Sequence, residues 1–131
     1  MAKKKENIGA KLLLTIHSLV TLGYGISLLA TPNESAAFMG LRTISADGQA
    51  ELFVMYLGLS GSLSFFMLFG AFSTKWLPTA LLVMALTMSG ITFVRLAGFA
   101  LLETGSYTLN ALYYDIPITI LSWFAFAKLK E

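Results

Sequence analysis

An all-α integral membrane fold, four transmembrane helices in an up-down-up-down bundle with both termini cytoplasmic, is predicted by three observations. The apolar residues lie in four long runs, at 12–30, 52–72, 77–102 and 109–127, each near the length that crosses a hydrocarbon core of about 30 Å. Only 12% of residues are charged, about half the quarter or so that a soluble domain carries. All the lysines (Lys3, Lys4, Lys5, Lys11, Lys75, Lys128 and Lys130) fall on one side once the runs are threaded through a bilayer, and Arg42 alone stands in the loops of the other. Cytoplasmic loops carry the excess of basic residues, so the lysine side is inside. The expectation is a single domain, 1–131, multi-pass in the inner (cytoplasmic) membrane.

Composition excludes several classes. The isoelectric point near 9.0 does not point to nucleic acid, because the basic residues sit at the ends of apolar runs. The chain has no cysteine, which removes disulfides, thiol redox chemistry and thiolate metal sites. His17 is the single histidine and cannot by itself make a multi-histidine metal site or a bis-histidine haem. No metal and no cofactor are expected.

The elements follow in order. A basic start before an apolar run resembles a signal peptide, but the run at 12–30 is longer than the 7–15 residues of such a core, and Leu28 occupies a position where cleavage needs a small residue. An uncleaved first span is predicted. Residues 31–49 form an outer loop. Pro32 ends the first helix, Asn33 opens a short surface helix through Met39, and Gly40 stops it. In the second span Gly58, Ser60, Gly61, Ser62 and Ser64 make a small-residue stretch, which in lipid lets helices approach closely. Lys75 and Trp76 mark the turn into the third span, with Pro78 in its first turn. Residues 103–108 turn into the fourth span, where Pro117 either frees the carbonyl of Tyr113 or, if the regular helix starts at Ile116, sits harmlessly in a first turn.

Arg95 and Asp115 lie where lipid should be. Counting rise per residue, Arg95 is about 27 Å and Asp115 about 18 Å above the inner boundary. Side chains lean toward their helix N-terminus, so Arg95 points down, Asp115 points up, and the two heads converge on the outer third below Glu51. Three readings stand open: Arg95 snorkels to the interface, the pair is a structural latch, or Glu51, Arg95 and Asp115 form a site. Other polar residues fall on helical stripes: His17, Thr21 and Tyr24 in span one, Ser89, Thr92 and Arg95 in span three, Asp115, Thr119 and Ser122 in span four, with Asn110 and Tyr114 a further pair there and Tyr56 in span two. His17 is placed near the inner boundary, far from Arg95.

The chain resembles a family of small bacterial four-span membrane proteins classed as a domain of unknown function. The likeness rests on Pro32 followed by Phe38, Met39, Gly40 and Leu41; on Glu51, Tyr56 and Gly58 opening span two; on Arg95, Leu96, Ala97 and Gly98; and on an acidic residue in span four, here Asp115. That family's second span tends to read Glu-x-Arg-x-x-Tyr-Gly-Gly, where this chain has Phe53 for the Arg and Leu57 for the first Gly. The resemblance implies the four-span topology and singles out Glu51, Tyr56, Arg95 and Asp115. It implies no reaction.

Three functions compete. The first is a binding site for a small lipophilic ligand near the outer leaflet, with Glu51, Arg95 and Asp115 as its polar, catalytic end if it does acid–base work, and Tyr24, Tyr56, Asn110 and Tyr114 as ligand-binding groups. The second is a non-catalytic accessory or assembly subunit that meets a second copy or another membrane protein through the Gly/Ser face of span two. The third is a small proton-coupled transporter working through Asp115. Membrane lipid is the common partner.

Overall fold

The computed structural model describes residues 7–42, 44–102 and 105–129. The expectations that rest on Lys3, Lys4, Lys5 and Lys130, and on the first two residues of the 103–108 turn, lie outside the described residues. Within them the chain is all-helical: α1 (Ile8–Ala30), α2 (Pro32–Phe38), α3 (Ala46–Phe53), a π-helical segment (Val54–Leu59), α4 (Ser60–Phe72), α5 (Leu77–Leu101) and α6 (Ser106–Lys128). The predicted short surface helix is present, but its cap is Thr31 rather than Asn33, because Pro32 starts it.

Three helices are long and apolar enough to cross a membrane: α1, the continuous helix Ala46–Phe72, and α5. Their large apolar side chains point outward, among them Phe65, Phe72, Phe93, Val94 and Ile26. A surface this apolar belongs in lipid, so this is a multi-pass membrane protein. α6 is as long as α1, but Tyr107, Asn110, Tyr114 and Asp115 dilute its apolar content.

The corner between α1 and α2 is tied to one carbonyl. Ser27 O accepts from the Thr31 N–H at 2.9 Å, the Thr31 hydroxyl at 3.3 Å and the Ser35 hydroxyl at 3.0 Å. Pro32 has no N–H to lose at that point. α2 then ends in a Schellman motif: Leu41 N–H bonds Ala36 O at 2.8 Å, Gly40 N–H bonds Ala37 O at 2.9 Å, and Gly40 takes φ +72°. The next helix starts earlier than the apolar run does. Ser45 caps it, its hydroxyl accepting from Gly48 N–H at 3.1 Å, so the loop expected to reach residue 49 stops at 45.

The π segment interrupts the second apolar run. Ser60 N–H reaches back to Met55 O, and the Ser60 hydroxyl donates to the same oxygen at 3.0 Å. This segment faces Gly25 of α1, where an added Cβ would stand 3.0 Å from both the Tyr56 carbonyl and Leu57 Cδ2. Gly70 is the other close approach, since a Cβ there would collide with that of Ala80 on α5. The small stretch singled out in the sequence divides differently. Gly61 and Ser64 are buried, Gly58 and Ser62 are exposed, and a Cβ at Gly61 would meet nothing within 4 Å.

One apolar cluster joins the helices at the end carrying both termini. It gathers Ala10 and Leu14 from α1, Met67 and Ala71 from α4, and Leu77, Ala80, Leu81 and Met84 from α5, with Phe126 and Leu129 packed against it. α1 touches α4, α5 and α6, and α5 packs along α6. α6 is continuous through Pro117, which lies in its interior. A regular helix starting only at Ile116 is therefore corrected: the helix begins ten residues earlier, at Ser106.

Candidate functional site

α5 and α6 are joined by a ladder of polar side chains. Trp123 Nε1 donates to Ser89 Oγ at 2.9 Å, Thr92 and Thr119 share a hydroxyl hydrogen bond at 2.9 Å, and Arg95 Nε stands 3.1 Å from Asp115 Oδ2. Steps of three residues on α5 meet steps of four on α6, as expected when two helical faces run past each other in opposite directions. Thr119 also donates to the Asp115 carbonyl at 2.8 Å, and the fully buried Ser122 hydroxyl donates to Thr119 O at 2.8 Å. Among the described residues, the buried side-chain atom of this seam left without a hydrogen-bond partner is a carboxylate oxygen.

That exception is Asp115. Its residue is 5% exposed. Arg95 neutralises its charge, but the N–H is not directed at Oδ2, which accepts no hydrogen bond among the described residues. The Arg95 guanidinium also sits over the Tyr107 ring, 5.9 Å from its centroid. A cation above an aromatic face is attracted by the ring quadrupole, more so where water is scarce. Snorkelling of Arg95 away from Asp115, left open by its depth, is not what the structure has.

On the opposite side of α6 lies a pocket of about 380 Å³ between α1 and α6. Tyr24, Tyr107, Asn110 and Tyr114 supply its polar groups, and Val20, Phe38 and Ala111 its apolar walls. Phe38 reaches it from α2 and meets the Tyr107 ring edge-on, with centroids 5.8 Å apart. A smaller cavity of about 220 Å³ shares Tyr24 and Phe38 with it and adds Glu34, Ser27, Thr31 and Ser35. Tyr114 is held from behind: its hydroxyl and His17 Nδ1 are 3.0 Å apart, and the two rings lie 6.2 Å apart at 15°.

His17 was expected near the inner boundary, far from Arg95, and as a satisfied interior histidine; it is buried, with the Tyr114 hydroxyl as its partner. α1 starts at Ile8 rather than at residue 12, which lifts His17 by just over a turn to about 14 Å from the helix start. Tyr114, one residue before Asp115, reaches it there.

The residues singled out from the sequence divide three ways. Arg95 and Asp115 meet, but neither lines the pocket; Arg95 touches it through Tyr107. Tyr24, Asn110 and Tyr114 line it together. Glu51 and Tyr56 stand outside its lining. Glu51 is exposed on α3, and no ion pair joins it to Arg95 among the described residues. Tyr56 sits on the π segment, within electrostatic range of Tyr107. Tyr107 and Glu34 were not anticipated, and His17 was named only for its place on the stripe with Thr21 and Tyr24. Tyr107 was legible, since 107, 110 and 114 follow the i, i+3, i+7 spacing of one helical face, but residue 107 had been assigned to the turn.

Compared with known protein families, with curated proteins and with solved structures, the chain finds no match. The likeness to the four-span family therefore rests on the quoted motifs alone.

Proposed function

We propose that this is a four-span inner-membrane protein, termini cytoplasmic, that binds a small lipophilic molecule with a hydrogen-bonding head in the pocket between α1 and α6. The observation that carries the reading is the pocket itself. Its volume of about 380 Å³ is within the range of small-molecule sites, and its wall is the mixture such sites use, apolar surface with a few convergent polar groups. Support for the topology comes from the apolar cluster in which the starts of α1 and α5 meet the ends of α4 and α6, together with the lysine asymmetry.

Binding is better supported than turnover. Arg95 and Asp115 satisfy each other's charge behind Tyr107, and Glu51 is not among the residues that line the pocket. In this reading the pair positions Tyr107, and Tyr24, Asn110 and Tyr114 hold the ligand head. The accessory-subunit reading keeps one support, the exposed Gly58 and Ser62 on the lipid side of the second helix.

The test is Ala111→Phe, which fills the pocket from a half-buried position. Protein purified in mild detergent is extracted and its lipophilic contents compared by mass spectrometry. A species retained by the parent and lost from the variant, with melting unchanged, supports the reading. Identical contents in both overturn it. The topology is checked separately by reporters: one fused after Glu131 should read cytoplasmic, and one inserted near Asp47 external.

A further inference from the structure

The seam between α1 and α6 opens a second time, at the end carrying the termini. This groove has a volume of about 610 Å³ and runs between Asn7, Ile8, Leu12 and Ile16 on one side and Phe124 and Lys128 on the other. Its walls are unfilled: Ile8, Leu12, Ile16 and Phe124 each keep more than half of their surface exposed. From Asn7 to Ile16 the helix climbs about 14 Å, which is half of a hydrocarbon core of about 30 Å. The groove is therefore one leaflet deep.

Its charge is at one end. Lys128 is the charged residue of the lining, and its ammonium lies over the Phe124 ring, 4.4 Å from the centroid, at the mouth of the groove. An apolar channel of leaflet depth with a cation at its outer end matches one class of molecule, an acyl chain with an anionic head.

We propose that this groove binds an anionic phospholipid of the leaflet around the termini, with one acyl chain between α1 and α6 and its phosphate at Lys128. A zwitterionic headgroup brings an ammonium of its own toward Lys128 and binds less well. The proposal rests on the membrane reading and not on the outer pocket, so its failure leaves the ligand proposal standing.

The experiment is native mass spectrometry of the full chain in detergent, titrated with phosphatidylglycerol or phosphatidylethanolamine of the same acyl chains. The expected result is tighter binding of phosphatidylglycerol, with Lys128→Gln lowering its affinity about fivefold, the worth of one lysine at a membrane surface. Gly9→Leu supplies an independent arm. Gly9 lines the groove and a Cβ there meets nothing within 4 Å, so the new side chain enters it without strain and should weaken both lipids at least fivefold. Equal affinity for the two lipids in the parent overturns the proposal, as does an unchanged preference in Lys128→Gln. Displacement of the lipid by glycerol phosphate would mean a headgroup site without a chain and also overturns it. A dimer that Gly9→Leu dissociates while lipid binding is unchanged assigns the groove to a second copy.

Discussion

α6 has two seams, and they are built in opposite ways. Against α5 it is closed by three polar rungs, Ser89–Trp123, Thr92–Thr119 and Arg95–Asp115. Against α1 it is open at both ends, and among the described residues one side-chain hydrogen bond crosses it, His17–Tyr114. The open seam follows a single face of α1: Leu12, Ile16, Val20 and Tyr24 recur every four residues, the first two in the groove near the termini and the last two in the pocket. In lipid there is no water to drive helices together, so association depends on packing and on polar contacts. The α5–α6 seam uses both. The α1–α6 seam uses little of either, and space is left over in the pocket and the groove. Polar side chains thus do different work on the two faces of one helix: on one they find partners within the protein, and on the other Tyr107, Asn110 and Tyr114 face a cavity.

The sharpest way to break this comparison is to remove half of the charged rung. Asp115→Leu leaves the Arg95 guanidinium without its counter-charge and should cost about 3 kcal/mol, the lower end of what breaking a buried pair costs in soluble proteins. Arg95→Met with Asp115→Leu should recover more than half of that loss, measured by thermal melting in detergent as a double-mutant cycle. Additive losses would mean that the two side chains do not stabilise each other.

Next is the packing that holds the other helices. Gly70→Ala drives a Cβ into Ala80 and should cost about 2 kcal/mol, as overpacking does. Gly61→Ala, about two and a half turns away on the same helix, meets open space and should be neutral or slightly stabilising, because alanine is the better helix former. Equal effects of the two would show that the small-residue stretch packs as a whole and would displace Gly70 as the contact point.

A single neutral rung should matter less. Thr92→Val removes one interhelical hydroxyl bond and should cost about 0.6 kcal/mol, the average for such bonds in membranes. The smallest effect is expected across the open seam. Ala111→Phe and Gly9→Leu should shift the melting temperature within error while changing what the protein retains. A loss of several degrees in either variant would show that the seam is a packed interface and not a ligand groove.

Much of the α5–α6 side was legible in the chain. The stripe Ser89, Thr92, Arg95 and the stripe Asp115, Thr119 are periodic, and charges in lipid must find each other, so their pairing follows from spacing and depth. Trp123 at the third rung was not anticipated, because Ser122 beside it is the more obviously polar residue; Ser122 instead bonds its own helix at Thr119 O. The surface helix after Pro32 and its stop at Gly40 were legible for a local reason, the missing N–H of proline and the left-handed backbone of glycine. Glu51 was placed above the pair by depth alone, and depth says nothing of the direction around a helix. The π segment at Val54–Leu59 also changes the angular position of whatever follows or precedes it, and six residues of this kind leave no periodic signal in an evenly apolar run.

From its sequence alone this chain determined that it lives in lipid, where its long helices end, and that Arg95 and Asp115 would sit at overlapping depth; the first two helices begin four and six residues before their apolar runs. Those properties depend on composition, on local backbone chemistry and on rise per residue, all of which are carried by neighbouring positions. The tertiary structure decided which glycines touch, that His17 stands behind Tyr114, and that Tyr107 divides the charge pair from the pocket. Each of these depends on how far a helix is rotated about its axis and how closely it meets its neighbour, and in a helix apolar all round that rotation is set by contacts between distant side chains.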